Sequence, residues 1–198
     1  MADKPIPIPS QIRQDPLIRR MRTLIIADDD EIADLINPCE VDLLISLGDL
    51  SDITILEVAK KVNARRIYAV KGNHDSGEAF PEPIVNLHRV VKISGGTAFG
   101  GFCGCWRYQP RGFHLFEQKE VFDLMSHMSE VDVFIAHNSP RGIHERNQRT
   151  HFGFDAFTEY INTFQPPLFL HGHQHVNSVS KMGRTEVLGV FGYKFMDL

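Results

Sequence analysis

Five short apolar runs in this chain each end close to an aspartate, an asparagine or a histidine, and that recurrence limits the folds open to it. Leu24-Ile25-Ile26-Ala27 runs into Asp28, and Leu43-Leu44-Ile45-Ser46-Leu47 into Gly48-Asp49. Ile67-Tyr68-Ala69-Val70 leads to Gly72-Asn73-His74-Asp75, Val133-Phe134-Ile135-Ala136 to His137, and Leu168-Phe169-Leu170 to Gly172-His173-Gln174-His175. Apolar runs this short, without alternation, read as strands buried on both faces. Between the second and third, Ile55, Val58, Ala59 and Val62 recur at helical spacing, which makes a β-α-β unit. Two later helices are expected, one carrying Val121, Leu124, Met125 and Met128, the other Phe154, Phe157 and Ile161 before Pro166-Pro167 stops it. A strand pair should turn through Ser94-Gly95-Gly96, and a hairpin near Met182-Gly183-Arg184 should close the chain. The fold class is therefore α/β, with two stacked mixed β-sheets flanked by helices.

With 198 residues, 42% of them hydrophobic and 23% charged, the chain fits one domain with a real core. That domain is expected over residues 21–198, after an extended, proline-interrupted arm over residues 1–20. A net charge of −4 provides no footprint for long nucleic acids. The N-terminal stretch lacks the apolar segment of a signal peptide, and no run reaches membrane-spanning length. Cys39, Cys103 and Cys105 form no C-x-x-C pair, so neither a zinc knuckle nor a disulfide framework is indicated. Reduced thiols without a leader point to the cytosol. Cys103 and Cys105, two residues apart, read as small buried residues on one face of a strand.

In open α/β sheets, ligands collect beyond the carboxyl ends of strands, so the five runs would deliver their polar residues to one rim. Carboxylates supply charge and can bridge two ions, imidazoles suit transition metals, and the Asn73 amide adds a neutral oxygen. Two ions held about 4 Å apart can clamp a phosphate and activate water for in-line attack. Gly48, Gly72 and Gly172 each precede a proposed ligand, where a missing Cβ allows a sharp turn and close approach. A single Gly-Asp or His-x-His would mean little; five such ends in order carry the inference.

These motifs resemble those of the calcineurin-like metallophosphoesterases: D-x-H, G-D-x-x-D, G-N-H-[DE], a histidine after a strand, and G-H-x-H. Here they stand as Asp28-Asp29-Asp30, Gly48-Asp49-Leu50-Ser51-Asp52, Gly72-Asn73-His74-Asp75, Ala136-His137 and Gly172-His173-Gln174-His175. The stretch from His137 to His144, with Phe152-Gly153-Phe154, is similar to the small cap-less branch. That branch includes class III cyclic-nucleotide phosphodiesterases and the brain metallophosphoesterases. The resemblance implies two divalent ions, manganese foremost, with iron, zinc, nickel or magnesium as alternatives. It implies that Asp49 bridges them, with Asp28 and His175 completing one site and Asn73, His137 and His173 the other. His74 would be the general acid or phosphate contact, and Asp75 would hold its imidazole in one tautomer.

The departure is Asp30, where the family has histidine. An aspartate is shorter and anionic, so it would favour harder ions, reach the metal through water, or leave that site weakly held; metal contact is the reading preferred here. Asp52 is expected to cap the helix beginning near Ile53. Arg141 and His151 are expected at the substrate, with Arg107 as a further phosphate contact. His144 should border the pocket, His171 back a ligand, and Trp106 and Tyr108 form either a wall or packing. His88, His114 and His127 are taken as structural or surface residues.

The expected activity is hydrolysis of a small, nucleotide-like phosphodiester by attack of a metal-bridging hydroxide, diesters ahead of monoesters. A non-catalytic metal-binding scaffold of the same fold and a small nuclease are the alternatives. His74 argues against the first, and the acidic charge against the second. A small phosphoester is the expected partner, with no membrane and no dedicated nucleic-acid surface; a homo-oligomer stays open.

Overall fold

The computed structural model describes residues 20–198; apart from Arg20, the arm expected over residues 1–20 lies outside the described residues. The chain first forms β1 (Arg22–Ala27), α1 (Ile32–Leu35), β2 (Leu43–Ser46), α2 (Asp52–Lys61), β3 (Ile67–Ala69) and β4 (Ile84–Asn86). It continues through β5 (Lys92–Ser94), β6 (Thr97–Phe102), β7 (Cys105–Trp106), β8 (Leu115–Phe116) and α3 (Gln118–Met125). β9 (Val133–Ala136), α4 (Asp155–Phe164), β10 (Leu168–His171), β11 (Ser178–Met182), β12 (Thr185–Gly189) and β13 (Gly192–Asp197) complete it. One sheet has the order β13-β1-β2-β3-β4 and a second β11-β12-β10-β9-β6-β5. The centre of each is parallel, with antiparallel strands added at edges, so both sheets are mixed.

Three apolar layers explain why the runs do not alternate. Along β1, Leu24 and Ile26 face α1 and α2, joining Ile32, Ile55, Val58 and Val62. Ile25 and Ala27 face the other way, into a middle layer shared with Ile45, Tyr68, Phe99, Ile135 and Leu170. On the far side, Phe134 and Phe169 of the second sheet pack on Phe157 and Ile161 of α4 and Val121 of α3. The expected αββα sandwich is what forms, and the aromatic stripe of α4 is core. Among the described residues, no helix is long and apolar enough to cross a membrane.

Four local expectations need correction. The chain does not close with the β11–β12 hairpin; it crosses to the first sheet, where β13 pairs with β1 from Arg22↔Asp197 to Ala27↔Gly192. Cys103 and Cys105 are both buried but share no strand face, because Gly104 between them turns at φ +72°. The N-cap of α2 is Ser51, whose Oγ accepts from the Thr54 N–H, while Asp52 pairs with the buried Lys71 ammonium at 2.7 Å. Asp30 is the fourth: its Oδ1 accepts from the Ser51 N–H at 2.8 Å and the Thr54 hydroxyl at 2.6 Å. An aspartate within reach of an open helix start competes well for these donors.

Candidate functional site

The carboxyl ends of β1, β2 and β3 meet those of β9 and β10 because the loops beyond them hydrogen-bond to their neighbours within each sheet and, through His173 and Asp28 and through His137 and Leu47, between the sheets. Asp28 N–H donates to the Gly48 carbonyl, Gly172 N–H to the His137 carbonyl, and His173 N–H to the Asp28 carboxylate at 2.9 and 3.1 Å. The turns are tight. Asp28, Asp49, His173 and His175 all lie in the left-handed region, with φ between 49° and 62°. That conformation costs a non-glycine residue roughly 1 kcal/mol or more. Four such residues in one cluster mark a site whose geometry is imposed by its surroundings. The glycines leave room: a Cβ on Gly72 would fall on the Asp49 carboxylate, one on Gly48 on the Gly72 backbone nitrogen, and one on Gly172 2.7 Å from Asp28 Oδ2.

The most compact group is Asp49, His137 and His173, whose ligand atoms lie within 4.8 Å of one another. His137 Nε2 is 3.4 Å from Asp49 Oδ2 and 3.1 Å from Asn73 Oδ1. Two ligands at about 2.1 Å from one ion stand roughly 3.0 Å apart at an octahedral angle and 3.4 Å at a tetrahedral one. The ring tautomers agree with this. His137 Nδ1 donates to the Leu47 carbonyl at 2.8 Å, turning Nε2 inward, and His173 Nε2 donates to the Thr150 carbonyl at 3.0 Å, leaving Nδ1 free. Asp28, fully buried, and His175 stand at 3.9 Å as the start of a second position. These residues fit divalent ions. Asp30 has one oxygen held on α2, and Asp28, Asp49 and His175 are the residues that would hold an ion at that second position.

The electrostatics show what the cluster lacks by itself. Burial, with Asp49 nearby, pushes the Asp28 carboxyl up to about 7 against the pull of His137. Burial disfavours charge on His137, yet Asp49 and Asp28 hold it up to about 9. Burial likewise opposes ionisation of Asp49, but His137 and the His74 N–H bring it down below the usual range. His173 is pushed well down by burial and by His137. The buried Asp49 carboxylate keeps its charge beside a protonated His137, a role a cation would fill.

His74 stands at the mouth, its side chain 75% exposed and Nε2 4.0 Å from Asp49 Oδ2. Asp75 does not orient that ring. Its carboxylate accepts from the backbone N–H groups of Asp49, Leu50 and Gly72, clasping the loops after β2 and β3 together. Arg141 is also placed otherwise than expected. Its guanidinium lies 4.1 Å over the Phe152 ring and pairs with Glu145 at 3.3 Å and Asp155 at 4.0 Å, so it is occupied in holding its own loop. Arg107 likewise serves the Leu115 carbonyl, Glu117 and Glu120.

His151 does border the cluster, its ring 5.0 Å from that of His173. His171 and His144 form a chain: His171 Nδ1 donates to the Gly172 carbonyl, His144 Nδ1 to His171 Nε2, and the Ser180 hydroxyl to His144 Nε2. Burial keeps both rings neutral, His171 down at about 3, so the pair braces the Gly172–His173 turn. Asn73 Nδ2 donates to the Tyr108 hydroxyl at 3.4 Å, pointing its oxygen at His137.

Sequence reasoning missed Gln174. Its buried amide donates to the His151 carbonyl, Ser139 Oγ and Asn138 Oδ1, and accepts from the Arg146 N–H. A glutamine between two expected ligands carries no periodic or charge signal that would reveal such a hub.

Comparison with known proteins agrees with this geometry. A family model described as the calcineurin-like phosphoesterase superfamily domain matches residues 24–190. The crystal structure of TT1561 from Thermus thermophilus is similar at 14% identity and a TM-score of 0.59, over 90% of this chain and 95% of that one. Another crystal structure is similar at 17% identity and a TM-score of 0.68, with the same coverage. Wild-type Vps29 complexed with zinc, from Entamoeba histolytica, reaches 15% identity and a TM-score of 0.49, over 87% and 74% of the two chains. The curated proteins contain no match. At such identities the first two solved structures establish a shared fold, and the family match establishes the rest: this chain belongs to the calcineurin-like phosphoesterase superfamily.

Proposed function

We propose that the chain hydrolyses small, nucleotide-like phosphodiesters with the help of two divalent ions, manganese foremost. The observation that carries this reading is the gathering of Asp49, Asn73, His137 and His173, with both imidazoles oriented by backbone carbonyls, beside Asp28 and His175. Divalent ions bound there would polarise the phosphoryl group and make water acidic enough to attack at neutral pH. Asp28, Asp49, Asn73, His137, His173 and His175 would hold them. His74, exposed at the mouth, would donate a proton to the leaving oxygen or contact the phosphoryl group. Asp75 keeps His74 in reach indirectly, by fixing the loops from which His74 and Asp49 project. The preference for diesters follows the family resemblance, and the three free cysteines support a cytosolic location.

One observation favours a second reading, a metal-binding scaffold without turnover. Asp30 serves α2 through one oxygen, which would leave the second metal position, that of Asp28 and His175, one ligand short of the family pattern. His74→Asn separates the two. With manganese present, the wild type should turn over bis(p-nitrophenyl) phosphate faster than p-nitrophenyl phosphate. His74→Asn should lower kcat about 100-fold or more while metal content stays the same. Full metal loading with no turnover of either ester would leave the scaffold reading standing.

A further inference from the structure

We infer that Arg146 is the residue that grips the non-bridging oxygens of the scissile phosphoryl group; this rests on the phosphoesterase reading above. Other arginines around the site have their charge engaged. Arg141 has Glu145, Asp155 and Phe152, Arg107 has Glu117 and Glu120, and Arg149 lies 4.8 Å over the Trp106 ring. Arg146 is exposed, and among the described residues no carboxylate pairs with it. Its Nη1 instead donates to His151 Nε2 at 3.4 Å. His151 Nδ1 donates in turn to Thr150 Oγ1 at 2.9 Å, so the ring is a neutral acceptor that aims the guanidinium.

Two features place that guanidinium at the metal cluster. The His151 ring, which accepts from the guanidinium, lies 5.0 Å from the ring of His173. The backbone is fixed too. Arg146 N–H donates to Gln174 Oε1, and Gln174 lies between His173 and His175. The loop bearing the cation is thus fastened to the loop bearing the ligands. One N–H of the guanidinium is used by His151, and the remaining fork matches two oxygens of a tetrahedral oxyanion. Neutral imidazoles do not cancel its charge, so a phosphoryl group is the partner this arrangement fits. His151 then acts through Arg146 as a positioning residue.

The test is titration calorimetry of inorganic phosphate into manganese-loaded protein, alongside steady-state turnover of bis(p-nitrophenyl) phosphate. Wild type, Arg146→Gln, Arg146→Lys and Arg149→Gln are compared, with thermal unfolding to confirm that each is folded. Arg146→Gln should weaken phosphate binding and lower kcat/KM, each by about 10- to 100-fold, the range expected for a charge-assisted contact. Arg146→Lys should recover part of both. Arg149→Gln removes the same charge three residues away and should stay within about twofold of wild type. Equal phosphate binding by wild type and Arg146→Gln overturns the inference. So does an equal loss in Arg149→Gln, or a wild type that binds no phosphate at millimolar concentration. If Arg146 governs phosphate binding but no ester is turned over, the anion site stands and the hydrolase reading falls. If turnover is present and indifferent to Arg146→Gln, the hydrolase reading stands and the inference falls.

Discussion

Asp75→Asn separates a loop clasp from a histidine orienter. Asp75 Oδ2 accepts from Asp49 N–H at 3.1 Å and Gly72 N–H at 2.6 Å, and Oδ1 from Leu50 N–H at 3.0 Å. Asparagine has nearly the same shape but only one acceptor oxygen. Oriented to keep the two bonds at Oδ2, it would present its NH2 group to the Leu50 N–H. The substitution leaves one partly buried N–H, that of Leu50, without an acceptor. Such a mismatch costs about 1–3 kcal/mol. For a chain of this size it should lower Tm by roughly 2–4 °C for each kcal/mol. The measurement is thermal unfolding of metal-free protein, with manganese affinity taken in parallel. Stability should fall and manganese should bind more weakly, because Asp49 sits in one of the clasped loops. Unchanged Tm and unchanged metal affinity, with only the pH profile of turnover altered, would refute the clasp and return Asp75 to His74.

Three further outcomes follow from the same geometry. Gly72→Ala places a methyl on the Asp49 carboxylate and should cost about 1–3 kcal/mol together with loss of metal binding, whereas Gly95→Ala, with open space around it, should keep the metal; calorimetry of both variants decides. Asp30→Ala removes an acceptor from the start of α2 and should cost about 0.5–2 kcal/mol with metal stoichiometry unchanged; losing one ion at unaltered stability would make Asp30 a ligand. The third concerns pH. His137, raised to about 9, and Asp28, raised to about 7, both favour the fold in their protonated forms. Their stabilisation of metal-free protein is present at low pH and is lost as pH rises through about 7 for Asp28 and about 9 for His137. Manganese must displace these protons. Its apparent affinity should climb about tenfold per pH unit up to about 9, and more steeply below about 7. A flat affinity from about pH 6 to about pH 9 would contradict the proton count.

What could be read from the sequence and what could not divides along physical lines. β1, β2, β3, β9 and β10 were legible because burial on both faces writes an unbroken apolar run, and their ends then located Asp28, Asp49, Asn73, His137, His173 and His175. β13 was not, since Tyr193, Lys194 and Phe195 are exposed and its pairing with β1 joins residues about 170 apart in sequence. Helix α1 and strands β7 and β8, at two to four residues, are shorter than a readable period. Inside the site, residue type gave the ligands but not the supports. Asp75, Asp30 and Arg141 carry the right chemistry for the roles expected of them, yet backbone N–H groups, a helix start and neighbouring carboxylates claim them. Which partner wins such a competition depends on turns at positive φ, where Asp, Asn and His are enriched but which residue type alone does not locate.

The central claim is that these strand-end residues hold ions that make the chain a phosphoesterase, and one titration tests it most directly. Protein stripped by a chelator is titrated with manganese while hydrolysis of bis(p-nitrophenyl) phosphate is followed. The account predicts no turnover in the stripped protein and a saturable return as two ions per chain are taken up. Turnover that survives stripping, or two bound ions that restore none, would contradict it.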